Sequence, residues 1–122
     1  MKISRIVLMT MIALGLVFSV AFAAGDAAKG KALFNDPKAF GAPGEKSCSS
    51  CHPEGKGLAK AGEKGRKDWR NPAGLFLSLE DTINVCIVMA NKGKSLDPRS
   101  QEMMDLVAYI KSLGKKGKAG GY

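Results

Sequence analysis

The sequence predicts an all-α domain of three to four short helices, and three observations carry that prediction. Apolar residues recur at helical spacing in three separate stretches, no stretch of any length alternates apolar and polar residues as a strand does, and capping residues flank the periodic stretches. Between the first and second stretch runs a segment rich in Gly, Lys, Ser and Pro, from Gly41 to Asn71, whose large apolar residues are Leu58 and Trp69. A loop that long inside one small domain is expected where it wraps something.

The N-terminal segment stands apart from the domain. Lys2 and Arg5 give a positive start, Ile6 to Val20 is an almost uninterrupted apolar run, and Ala21-Phe22-Ala23 has the small-x-small pattern of a cleavage site. About 15 apolar residues fall short of the roughly 20 that a spanning helix needs. Residues 1–23 are therefore expected to be a secretory signal peptide cut after Ala23, leaving 24–122 as the mature domain in the periplasm, with no stable membrane insertion. Losing Lys2 and Arg5 lowers the formal charge from +8 to +6, still basic.

The first helix starts at Asp26 as N-cap and turns Leu33 and Phe34 inward, until Asn35-Asp36-Pro37 ends it. Ser78 caps the second, with Asp81 three positions on; Leu79, Ile83, Cys86, Ile87 and Ala90 share its inner face, and Asn91-Lys92-Gly93 closes it. Met103, Leu106, Val107, Ile110 and Leu113 line the third, which Gly114 is expected to stop, with 115–122 a flexible basic tail.

Chemistry concentrates in Cys48-Ser49-Ser50-Cys51-His52. This C-x-x-C-H pattern is the attachment signature of c-type haem: two thiols three positions apart add to the two vinyl groups on one porphyrin edge, and the adjacent imidazole reaches iron. His52 is the single histidine of the chain, so it has no competitor as proximal ligand. A thioredoxin-like pair would sit in an alternating βα sequence, which is missing here. A structural zinc would have to recruit Cys86, far along the chain, as its fourth ligand. One covalent haem c also gives short helices a core that a mature chain of 99 residues could not easily build alone.

From about Ala28 to Leu113 the chain resembles a class I cytochrome c domain, through Gly30 and Phe34 in the first helix, C-S-S-C-H-P-E-G-K-G-L at Cys48 to Leu58, and Tyr109 in the last helix. The resemblance implies helices wrapped around the haem, with the first and last crossing near Gly30 and Tyr109. More narrowly, Ile83-Asn84-Val85-Cys86, Gly93, Leu96, Ser100, Glu102-Met103 and Ala108-Tyr109-Ile110 resemble the cytochrome domains of thiosulfate dehydrogenase and of the haem-binding subunit of the thiosulfate-oxidising complex.

The distal iron ligand is the open position. Met89 is favoured, because a neutral thioether is the usual ligand of a haem electron carrier. Cys86, one helical turn away, is the alternative, and the narrower resemblance implies that the matching cysteine ligates iron. Met103 is expected to be a core filler. Trp69 is expected either to donate its indole N–H to a haem propionate or to lie over the ring as a lid; Arg66, Lys67 and Arg70 are candidates to face the propionates. The resemblance also implies that Pro72 offers its carbonyl to the other ring nitrogen of His52.

These features predict a single-electron carrier rather than an enzyme, probing acidic docking faces of redox partner proteins with a basic surface, as a monomer. No nucleic-acid recognition module accompanies the lysines. The competing expectation is a haem enzyme or subunit that oxidises thiosulfate or related sulfur compounds, with Cys86 at the iron.

Overall fold

The computed structural model describes residues 24–119, with side chains as far as Gly114; the expected signal peptide lies outside the described residues. Asp26 opens the first helix, α1 (Ala27–Asn35), by accepting from the backbone N–H groups of Ala28 at 2.8 Å and Lys29 at 3.2 Å. First-turn donors lack partners inside a helix, so an Asp here favours starting one. The Asp36 N–H returns to the carbonyls of Ala32 and Leu33, and Pro37 follows. The buried residues of α1 are Gly30 and Phe34, one turn apart.

After a 3₁₀ turn at Ala39–Gly41, a single-turn helix α2 (Cys48–Cys51) and another 3₁₀ turn, Pro53–Gly55, carry the chain through the motif. Two strands follow, β1 (Trp69–Asn71) and β2 (Gly74–Phe76), paired antiparallel in the register Trp69↔Phe76, Arg70↔Leu75 and Asn71↔Gly74. This hairpin corrects the all-α expectation: the domain is mostly helical, with one small hairpin. Each strand has three residues, too few for alternation to register as a pattern. What makes the hairpin is its turn, where Asn71 Oδ1 accepts from the Ala73 N–H at 2.8 Å on either side of Pro72.

Ser78 caps α3 (Leu79–Met89) by accepting from the Asp81 N–H at 3.0 Å, and Glu80 and Asp81 place negative charge at the positive end of the helix dipole. Lys92, not Gly93, adopts the left-handed conformation beyond its C-terminus, while the Gly93 N–H closes onto the Ile87 carbonyl at 3.0 Å. The last helix, α4 (Gln101–Ala119), runs past Gly114, where the sequence suggests a stop. A Cβ at Gly114 would meet the Ala59 carbonyl oxygen at 2.7 Å, so this glycine permits a loop to lie against the helix rather than ending it.

The core lies where α1, α3 and α4 meet: Phe34 from α1, Leu79, Ile83 and Ile87 from α3, and Met103, Leu106, Val107, Tyr109 and Ile110 from α4. Met103 is fully buried, as a core filler should be. Helices α1 and α4 cross at Gly30, where an added Cβ would collide with the Asp105 carbonyl and approach Tyr109 Cβ to 2.9 Å. Phe34 and Tyr109 pack edge to face beside the crossing, with ring centroids 5.1 Å apart. The buried Asp105 carboxylate locks it, accepting from the Asp26 N–H at 2.7 Å and from Gln101 Nε2 at 2.8 Å. Among the described residues no helix is long and apolar enough to cross a membrane.

Candidate haem site

The motif is built on a turn that its own serines hold. The Ser47 N–H donates to Ser50 Oγ at 3.0 Å, and the Ser50 N–H returns to the Ser47 carbonyl at 3.1 Å. This reciprocal cap begins α2 directly before Cys48, and the His52 N–H closes it on the Cys48 carbonyl at 3.0 Å. Cys48 and Cys51 are thus three positions apart on one helical turn, which puts their side chains on the same face. None of the three cysteines is in a disulfide.

Directly after the motif, Glu54 and Gly55 both take left-handed backbone conformations and turn the chain back on itself. The reversal brings the Lys56 carbonyl to His52 Nδ1 at 3.0 Å. A carbonyl can only accept, so Nδ1 is the donor of this bond and Nε2 is the ring nitrogen that the bond leaves free. Lys56 therefore fills the orienting role expected of Pro72: the partner comes from a tight reversal four residues on, not from the distant hairpin turn.

Cys86 lies half-buried on α3. Burial pushes its thiol above the ordinary range, Cys51 adds to the shift, and the Asn71 amide opposes it. Burial likewise raises the Cys48 thiol, against the Asn91 amide and with contributions from Cys86 and Cys51. The three sulfurs are therefore within electrostatic reach of one another. Two carboxamides point at them: Asn71 Nδ2 lies 4.0 Å from Cys86 Sγ, and Asn91 Nδ2, in a side chain only 4% exposed, lies 3.7 Å from Cys48 Sγ. Neither asparagine stood out in the sequence, where Asn71 ends the long loop segment and Asn91 reads as a helix end.

Met89, the last residue of α3, is 59% exposed. Trp69 donates its indole N–H to the Ala61 carbonyl at 2.7 Å, so that donor is committed within the protein rather than directed at a propionate. Arg66 lies 6.0 Å from the Trp69 ring and donates to the carbonyls of Asp68 and Lys60. Lys67 and Arg70 are exposed. A groove of about 940 Å³ runs between the 61–66 loop, Trp69 and the start of α3, bounded by Lys111 and Gly114.

These residues fit a covalently attached haem. Two thiols on one turn match the two thioether bonds, and an imidazole held through Nδ1 leaves Nε2 to serve as a ligand. Among the described residues no three His, Cys, Asp or Glu side chains converge on a metal-sized site.

Residues 29–118 match the family model of the SoxA/TsdA cytochrome c domain. No curated protein and no solved structure gives a significant match. The match covers most of the chain and both the motif and Cys86, and a cytochrome c domain carries covalent haem c and serves haem-based electron transfer. The local likeness of α3 and α4 to thiosulfate-related cytochrome domains agrees with it: the chain belongs to the SoxA/TsdA cytochrome c domain family.

Proposed function

We propose that this protein is a periplasmic class I monohaem cytochrome that carries single electrons in the oxidation of sulfur compounds. In this reading Cys48 and Cys51 hold the haem, His52 is the proximal ligand, and Cys86 rather than Met89 is the distal ligand. The haem supplies a one-electron couple. The polypeptide supplies its attachment and the orientation of the ligands: Lys56 fixes the His52 ring, the 47–50 cap fixes the thiols, and α3 carries Cys86.

The observation that carries the reading is the contrast along α3. Cys86 is half-buried, in electrostatic reach of Cys51 and met by an amide, whereas Met89 is more than half exposed and no polar group meets its sulfur among the described residues. A thiolate lowers the reduction potential relative to a thioether. The deciding experiment is the spectrum of the oxidised protein from the ultraviolet to the near infrared, alone and with Cys86→Ser and Met89→Ala. A thiolate spectrum lost in Cys86→Ser and kept in Met89→Ala is expected. A thioether band that vanishes in Met89→Ala would return the ligand to Met89.

A second reading, catalysis on thiosulfate or a related compound, is favoured by one feature: Cys86 keeps part of its surface exposed, as a thiol that meets substrate must. Turnover of thiosulfate by the isolated protein with an artificial electron acceptor, lost in Cys86→Ser, would establish it.

A further inference from the structure

The hairpin that the sequence hides has one polar side chain aimed at α3. Asn71 ends β1, and its two amide functions are divided. The Oδ1 oxygen accepts from the Ala73 N–H at 2.8 Å within the turn, which fixes the plane of the carboxamide, and that plane directs Nδ2 at Cys86 Sγ, 4.0 Å away. Asn71 is half-buried, and β1 packs on α3, so the amide is held from both sides of the turn rather than free in solvent.

We propose that Asn71 is a positioning residue for the distal thiolate, donating a hydrogen bond to Cys86 Sγ that raises the reduction potential of the bound haem. The proposal rests on the assignment of Cys86 as distal ligand. On one-electron reduction, with the electron supplied by the redox partner, iron draws less density from its sulfur ligand and the sulfur becomes more negative. A donor N–H at Sγ is stronger in that state and favours it. No proton is transferred, because the amide remains neutral in both states.

The test uses the haem-loaded protein with Asn71→Asp and Asn71→Ala, read by spectroelectrochemical titration together with the oxidised spectrum. Asp keeps an oxygen for the Ala73 N–H, and so keeps the turn, but offers no donor; Ala removes donor and turn acceptor without adding charge. Both variants are expected to retain the thiolate spectrum while the equilibrium constant for reduction falls about threefold to tenfold, on the order of one charge-assisted hydrogen bond. An unchanged potential in both overturns the proposal. A fall in Asn71→Asp alone assigns the effect to the added charge and also overturns it. A wild-type spectrum without thiolate character removes the Cys86 assignment itself, and is distinguishable from the other failures before any variant is made.

Discussion

His52 shows how much one side chain depends on backbone it does not belong to. Its Nδ1 proton is held by the Lys56 carbonyl, which is within reach because Glu54 and Gly55 turn left-handed. In the proposed assignment, replacing the ring removes the proximal ligand but leaves both thiols, so His52→Ala is expected to retain covalently bound haem and lose the low-spin spectrum; a low-spin, six-coordinate native spectrum in that variant would sink the assignment. The motif and its single histidine are plain in the sequence because the chemistry demands a fixed spacing. The Lys56 contact is not, since carbonyls carry no residue signature and only the path of the chain decides which one arrives. Asn71 and Asn91 escaped for the related reason that a polar side chain at a turn or helix end reads as local capping until the fold shows a sulfur opposite it.

At the level of helices and strands, the legible parts were those with a cap and a repeated apolar face. Asp26 and Ser78 open α1 and α3 as their side-chain chemistry requires, and the apolar residues expected on the inner face of α4 are buried or half-buried. Two features were misleading. Three-residue strands are shorter than the pattern that would announce them, and Gly114 resembles a helix stop although it serves a close loop contact. Gly30 makes the same kind of contact between helices, and its removal has a definite consequence. Gly30→Ala forces a methyl group into the Asp105 backbone, so it is expected to cost about 3 kcal/mol or more, measured as a lower denaturant midpoint of the haem-loaded protein, while Lys29→Ala on the exposed face stays within about 0.5 kcal/mol.

For the molecule as a whole, charge matters more than any single pair. The full chain carries a formal +8, and among the described residues one ion pair forms, Lys31 with Glu54 at 4.0 Å, both side chains largely exposed. Such a pair contributes little, so most of the positive charge is left to act outward. Electron exchange with an acidic redox partner is accordingly expected to slow roughly tenfold or more as ionic strength rises from about 0.02 to about 0.5 M, followed by stopped-flow mixing. A salt-independent rate would show that docking does not use this charge.

The clasp between the Asp26 N–H and the Asp105 carboxylate spans 79 positions of sequence. A ribosome delivers the amino-terminal half of that clasp long before its partner, and α1 can bury Gly30 and Phe34 against α4 only once the last helix has emerged. Closure is thereby deferred to the end of delivery. During that interval the Cys48 to His52 segment belongs to an unfinished chain, in which Cys48, half-buried in the finished fold, is still open to solvent.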